Sequence, residues 1–463
     1  MSDMPSTQQP SRVPICTATR SATGSAQWLL EKNEDKNTPV LQHNNLELLI
    51  CGQAAFSKIA EDLRNAKHSI DIVCWGFDPA MELVRKRDQW PRGETWGQLL
   101  KAAAAKGVQV RLLVWYGALG NLATNNMPGY KKDAPYELKA AAWRGDMAQA
   151  VAPGGQIPAQ PEPVNLQDKR EVFNSHWYRD VVAGAVQGIS LRTRGGVDQD
   201  VDGRPPGETP HPRLGLNPSL RLIERLGMEW VGTHHQKTIV IDYEGDAPCG
   251  YVMGLNSVTD YWDTEEHRFH EPLRGASWEG GGEKGHASLK PLQDYACRVQ
   301  GEALVAVCKN FTEAWNKAQA GDKGAGSNVK RSFDLNNPPR NLTRNLKFPR
   351  QRAQILRTLP EAEGTEKSIQ RLYSQAGSFA RHYIYLENQY FQHADWVKEL
   401  KRLRVQHILG CQRGGLAMAE VPKLHVMVVI PSPERTQMAP RTHDSVIELG
   451  HGASMPHQAD RLD

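Results

Sequence analysis

Four residues carry the clearest chemistry in this chain: His235, Lys237, Asp242 and Asn256. They stand in the run His235-Gln236-Lys237-Thr238-Ile239-Val240-Ile241-Asp242 and in Gly254-Leu255-Asn256-Ser257 shortly after it. Side chains alternate faces along a strand, so His235 and Lys237 are expected to project together while Asp242 has the opposite parity. An imidazole beside an ammonium suits a phosphate. The ammonium binds non-bridging oxygens and lowers the energy of a charged transition state, while the neutral imidazole attacks phosphorus. Asp242, at the end of the run, is expected to hold backbone or loop geometry. Asn256, at the end of a following strand, offers an amide to a phosphate oxygen.

With 16 histidines in the chain, this spacing arises by chance often enough that the pattern alone does not decide. The bland alternative is an exposed polar strand edge. Context favours the chemistry, because TIVID is apolar enough to be buried and GLNS follows it. Other motifs fall away. His234 points away from His235 and completes no metal-binding set. WEGGGEKGH at 278–286 lacks the GK[ST] of a phosphate-binding loop. Tyr261 and Trp262 could line an acyl-chain opening, but core packing is the better expectation.

The elements that must position these residues alternate between helix and strand. Phe56, Ile59 and Leu63 recur at helical spacing before the apolar run Ser69–Trp75. TWGQLLKAAAAKGVQVRLLVW repeats the plan, with Gly107 stopping a helix ahead of a strand at Val108–Trp115. A third pair follows, helix Val172–Ala185 and strand Ile189–Arg194. WVGTHHQKTIVIDY reads as the strongest strand, YVMGLNS as another, and Gly301–Lys317 as an amphipathic helix. Later, SIQRLYSQAGSFARHYIYLENQYF again runs helix into strand, and KLHVMVVIP is a further strand. Such alternation predicts an α/β fold with a parallel or mixed sheet.

Composition sets broad limits. The 463 residues are 39% hydrophobic and 23% charged, with a formal net charge of +4. That charge is small for the length, so any attraction to anionic phosphate is local and no nucleic-acid partner is expected. Seven cysteines without a CxxC pair argue against a disulfide framework or a zinc knuckle. The N-terminal residues have no apolar core after a basic start, and no run approaches 18 apolar residues, so neither a secretory signal nor a membrane span is expected.

HxKxxxxD followed by a strand ending in Gly-x-Asn resembles the signature of the phospholipase D superfamily. SIDIVCWGFDP, KPLQDYACRVQGEALVAVCKNFTEAWN and IYLENQYF are similar to its lipid-cleaving branch, and THHQK and RTHDSVIELGHGASMP to bacterial type VI secretion effectors of that branch. The resemblance implies two related lobes, each a mixed β-sheet flanked by helices: a leader at 1–44, a first lobe at 45–317 with insertions near 117–168 and 195–219, a linker at 318–350, and an incomplete second lobe at 351–463.

It also implies roles. His235 is the nucleophile of a phosphohistidine intermediate, Lys237 and Asn256 bind the phosphate, and a carboxylate after Gly-x-Asn orients the histidine. Asp260, Asp263, Glu265 and Glu266 are available for that task, and Asp263 is preferred. Glu387, Asn388 and Gln389 would line the cleft. The implied reaction needs no cofactor or metal. It cleaves headgroups at a phospholipid membrane surface, by a protein made in the cytoplasm and secreted without a signal peptide toward a target-cell periplasm. A secretion-system carrier and an immunity protein are the implied partners.

One departure stands out. His393, His407, His425, His443, His451 and His457 all lack a lysine two residues on, so the second HxK motif of the branch is missing, and His425 is best explained by burial in a strand. A fragment of a longer reading frame is the favoured account. The alternatives are a second chain supplying the motif, or two copies pairing their single motifs. A nuclease of the same superfamily and an inactive half-enzyme serving as a binding module remain the competing functions.

Overall fold

A computed structural model describes residues 29–30, 38–87, 90–116, 125–131, 166–195, 234–258, 261–268, 271–274, 291–318, 323–359, 366–431 and 438–451. Most of the expected leader and of the two expected insertions lies outside the described residues, and the leader's expected end is corrected, since its last four residues already belong to a strand, Leu41–Ile50. The chain divides into two compact units, Leu41–Ile355 and a second formed by residues 1–40 with 356–463.

The first unit is built on one mixed sheet of eight strands. They are β1 (Leu41–Ile50), β2 (Ser69–Cys74), β3 (Gln109–Trp115), β4 (Ile189–Arg194), β5 (Thr238–Ile241), β6 (Cys249–Met253), β7 (Tyr295–Gly301) and β8 (Gln351–Ala353). Their spatial order is β4-β3-β2-β5-β6-β7-β1-β8. β2, β3 and β4 run parallel, and every pair from β2–β5 to β1–β8 is antiparallel. Helix α1 (Cys51–Asn65) leads from β1 into β2, the connections between the parallel strands carry α2 (Trp96–Ala105) and α3 (Leu166–Val182), and α4 (Leu304–Lys317) follows β7.

Alternation along the strands explains the layering. Ile70, Ile72, Val110, Leu112, Ile239 and Ile241 face one way and pack with Phe56, Ile59, Leu100 and Trp177 of α1–α3. Val240 and Val299 face the other way onto Leu304, Val307 and Cys308 of α4, and Val73 and Leu113 meet its Phe311 and Trp315. A sheet covered on both faces reads as continuous apolar runs, as β2 does with all six residues buried. Thr95 caps α2 reciprocally with Gln98, and Gly107, predicted to stop that helix, adopts φ 88° just beyond it.

Two expectations need correction. The strand expected across WVGTHHQKTIVIDY is only Thr238–Ile241; residues 230–233 lie outside the described residues, and residues 234–237 precede the strand. The run 318–350, expected as a linker, instead packs on the first unit. Leu335 and Leu342 join the α4 core, Arg331 pairs with the buried Asp71, and residues 351–353 extend the sheet. Scattered apolar residues among Asn, Arg and Pro suffice to anchor such a segment, and composition hides them.

The second unit contains β9 (Thr358–Leu359), β10 (Glu366–Lys367), α5 (Ser368–Phe379), β11 (Tyr383–Glu387), α6 (Ala394–Arg413), β12 (His425–Val429) and α7 (Met438–Leu449). β11 and β12 form a two-stranded parallel pair. One face of it is bare: Tyr383, Tyr385, Met427 and Val429 are 66%, 53%, 46% and 49% exposed. His425 shares that face and is exposed rather than buried, because nothing among the described residues covers its side of β12. It lines a cavity of about 590 Å³ with His382, Tyr383, Met427 and His451.

Candidate active site

The parallel strands β2, β3 and β4 end at the edge where the antiparallel β5 begins. In register, Val73 faces Thr238 and Thr238 faces Val252, so the C-terminal end of β6 and the start of β7 reach that edge too. Crevices at the carboxyl ends of parallel strands are where α/β sheets hold ligands.

His235 and Lys237 sit at this edge. Lys237 Nζ lies 2.8 Å from His235 Nδ1, 3.1 Å from Nε2 and 3.1 Å from the His235 carbonyl oxygen. Gln236, between them, turns the other way, where its Oε1 accepts from Arg194 at the end of β4 and Asn310 of α4. The segment is therefore pinned although it is not strand, and Met253 N–H donating to the Lys237 carbonyl continues the ladder beyond β5. The His235 ring meets Trp75 edge-on at 5.6 Å, and Trp75 in turn stacks on Trp115. The buried Asn126 fixes that aromatic pair by donating to the carbonyls of Trp75 and Trp115.

The environment sets the charge states. Desolvation by these neighbours, and secondarily the Lys237 ammonium, lowers the His235 imidazole to a pKa of about 4, so it is neutral near pH 7. The residue as a whole stays exposed and open to substrate. Lys237 is buried, and burial lowers its pKa to about 7, while the carboxylate of Asp294 and the Cys74 thiol pull it upward.

Asn256 follows β6 and lies alongside the end of β2, where Ser257 bridges to Phe77. It is fully buried, and neither its amide oxygen nor its nitrogen has a hydrogen-bonding partner among the described residues. An unpaired buried amide costs roughly 1–3 kcal/mol, a cost that a phosphate oxygen as partner would offset.

Asp242 lies at the opposite end of β5. Its carboxylate accepts the backbone N–H groups of Lys67, His68 and Ser69 at 2.8, 2.7 and 2.9 Å, and its own φ is 51°. It ties the turn before β2 to the turn after β5, which sets those strands' register.

Asp263 is fully buried. One carboxylate oxygen takes Arg274 and the Thr264 N–H, each at 2.8 Å; the other takes the Leu292 N–H at 2.8 Å and faces His267 Nδ1 at 3.3 Å. The imidazole it orients is thus His267. Asp260 lies outside the described residues, while Glu265 and Glu266 are exposed. Trp262 is core, its indole N–H donating to the Leu83 carbonyl, with Arg85 over its ring.

The residue that spacing missed is Asp294, just ahead of β7. Its charge acts on Lys237, and its Oδ1 lies so close to Gly254 that a Cβ there would stand 2.0 Å away. Burial raises its pKa, against the Tyr295 N–H bond and Lys237. The available signal was its place in QDYACRVQG, an acid at the mouth of a strand.

Glu387, Asn388 and Gln389 stand at the end of β11 in the second unit, all exposed. Tyr385 donates to Glu387 at 2.9 Å, and Asn388 N–H donates to the Val429 carbonyl. Among the described residues no three His, Cys, Asp or Glu side chains gather as a metal site requires. No described helix is long and apolar enough to cross a membrane.

The family model described as Phospholipase D matches residues 62–137 and 221–412, more than half of the chain. The chain belongs to the phospholipase D family. Its relatives include phospholipase D alpha 2 of Oryza sativa subsp. japonica, 25% identical over an alignment of 407 residues that covers 77% of this chain and 41% of that protein. Phospholipase D alpha 2 of Arabidopsis thaliana is 24% identical over an alignment of 448 residues that covers 85% of this chain and 46% of that one. The chain thus spans less than half the length of these family members. Among solved structures, the phospholipase D family member Nuc of Salmonella typhimurium aligns with 60% of this chain and 97% of its own, at 11% identity and a TM-score of 0.26, a likeness too slight to carry an argument.

Proposed function

We propose that this chain is a phospholipase D-type phosphodiesterase that releases headgroups from glycerophospholipids through a phosphohistidine on His235. The observation that carries the reading is the neutral, exposed His235 imidazole within 2.8 Å of the Lys237 ammonium, at the edge that also holds the unpartnered Asn256. A ring nitrogen of His235 attacks phosphorus, and the bond from phosphorus to the headgroup oxygen breaks. The alcohol leaves with a proton from a general acid. The deprotonated acid then takes a proton from water, whose oxygen attacks phosphorus, breaking the phosphorus–nitrogen bond and giving phosphatidic acid and the free imidazole. Lys237 and Asn256 balance the charge on the non-bridging oxygens throughout.

In this proposal the general acid belongs to a second His-x-Lys segment, carried by additional polypeptide or by a partner chain. The bare face of the β11–β12 pair supports that part, since parallel strands are ordinarily covered on both faces. Delivery into a competing bacterium, with a secretion-system carrier and an immunity protein, is the biological setting proposed, on the sequence likeness alone. Periplasmic expression that kills for the wild type and not for His235→Ala would support it; equal survival would end it.

The test of the activity is headgroup release from phosphatidylethanolamine and phosphatidylglycerol vesicles, with DNA as the competing substrate, for the 463-residue chain alone and supplemented with a second His-x-Lys segment. Release from vesicles supports the reading. Cleavage of DNA alone would replace it with a nuclease, and neither reaction in either form would leave a binding module.

The charge states predict a bell-shaped pH dependence of kcat/KM. The imidazole must be unprotonated, so activity rises through about pH 4, and the ammonium must be protonated, so activity falls through about pH 7. Lys237→Arg keeps its charge at all these pH values and is expected to move the alkaline fall up to the pKa of the general acid, whatever it does to the maximum rate.

A further inference from the structure

Three residues outside the phosphate-facing set form a line. Cys51 Sγ lies 3.4 Å from His267 Nε2, and His267 Nδ1 lies 3.3 Å from Asp263 Oδ2. Cys51 is the first residue of α1, directly after β1, with φ 62°, and His267 has φ 48°. A thiol, an imidazole and a carboxylate in that order suggest a nucleophile, but the surroundings argue otherwise. Cys51 is fully buried, and burial first, then the carboxylates of Asp263, Asp294 and Glu265, keep its thiol protonated. A protonated thiol donates to Nε2, which leaves the His267 proton on Nδ1 to donate to Asp263.

The backbone contacts show what this line braces. Asp263 accepts the Leu292 N–H through its carboxylate and the Gln53 N–H through its carbonyl. Cys51 N–H donates to the Asp294 carbonyl at 2.8 Å. The stretch 292–294 is therefore gripped at both ends by the two ends of the same line. Beyond it, Tyr295 N–H holds Asp294 Oδ1 at 2.8 Å and Gly254 N–H takes the Tyr295 carbonyl. Gly52 makes the grip possible, since a Cβ there would lie 2.6 Å from the Tyr261 carbonyl oxygen and 2.9 Å from the Asp263 nitrogen.

We propose that Cys51, His267 and Asp263 are positioning residues that clamp Asp294 so that its carboxylate stays packed on Gly254, the residue after the Met253 whose N–H donates to the Lys237 carbonyl. The clamp rests on the reading of Lys237 as the phosphate-binding cation. The charged and titratable groups that act on Lys237 are His235, Cys74 and Asp294, and of the two that favour its protonated form Asp294 has the larger effect. Slackening the clamp withdraws that carboxylate, and Lys237 then loses its proton at lower pH.

The measurement is a titration of Lys237 in the whole chain by NMR of the lysine Cε resonance, assigned by its loss in Lys237→Arg. The wild-type midpoint is expected near pH 7. Asp294→Asn is expected to lower it by about one in pH, the effect of removing a nearby opposite charge. His267→Ala and Asp263→Asn should lower it likewise, and each combined with Asp294→Asn should add nothing, as coupled sites do. If Asp263→Asn does not fold, Cys51→Ala and Cys51→Ser decide. Serine keeps a donor to His267 and should leave the midpoint in place, whereas alanine should lower it. A midpoint unmoved by the clamp variants, or effects that add to that of Asp294→Asn, would overturn the clamp. The titration needs no turnover, so a chain that hydrolyses nothing yet shows these shifts loses the proposed function and keeps the clamp.

Discussion

Replacing His235 by alanine is expected to remove headgroup release almost entirely, by on the order of 10⁴-fold or more in kcat, while leaving the thermal midpoint within a degree or so. The two halves of that expectation have separate physical grounds. The rate falls because the neutral nucleophile that stands 2.8 Å from the Lys237 ammonium is removed. The stability holds because His235 is exposed, and among the described residues its side chain meets the edge of Trp75 and the Lys237 ammonium. Removing an imidazole that disfavours its own protonated form costs the folded state little. The check is vesicle hydrolysis and a melting curve on the same preparation. Retained turnover would mean that a different nucleophile serves, and a collapsed melting curve would assign His235 to the architecture instead.

The second large expectation concerns Asp242, at the other end of the same strand. Asp242→Ala should destabilise the first unit by about 3–5 kcal/mol, because three backbone N–H groups lose a charged acceptor together. Alanine also tolerates φ 51° poorly, which adds about 1 kcal/mol. Asn at 242 keeps one acceptor and accepts the left-handed backbone, so Asp242→Asn should cost about half as much. Chemical denaturation of both variants checks the order. Equal losses would show that the charge alone matters, and no loss in either would show that the turn before β2 holds itself. The motif's aspartate thus acts on register, at the far edge of the sheet from the histidine.

Taken together, these variants separate chemistry from architecture within one eight-residue motif. His235 and Lys237 lie at the edge where the parallel strands end, and Asp242 lies where they begin. The strand between them, Thr238–Ile241, is held by core on both faces, with Ile239 and Ile241 on one side and Val240 on the other. A one-residue slip would turn the valine and the isoleucines to the wrong layers, so the spacing from His235 to Asp242 is under packing constraint as well as chemical constraint.

Much of this was legible in the chain itself. The alternation of helices and strands announced an α/β sheet, because apolar spacing follows the burial of each element and burial is recorded residue by residue. The pairing of His235 with Lys237 followed from a two-residue spacing, even though the segment proved to lie ahead of the strand. The anchoring role expected of Asp242 agrees with the three N–H groups it accepts. What composition concealed was longer in range. The run at 318–350 looks like a linker, yet Arg331 reaches the buried Asp71 and Leu335 enters the core. His425 looked buried because its strand is apolar, but a strand sequence does not say whether a second layer covers it.

The choice of carboxylate shows the division most clearly. Sequence order made Asp263 the natural partner for His235, since it follows Gly-x-Asn directly. Tertiary structure gave Asp263 to Arg274 and His267 and left Asp294 as the carboxylate whose charge acts on Lys237. That outcome depends on β7 lying beside β6, which brings Asp294 back past the long connection between these two strands. Residue type and local spacing therefore determined the reaction chemistry available to this protein. Strand order decided which acid serves it, because only the assembled sheet fixes distances between residues that the sequence leaves far apart.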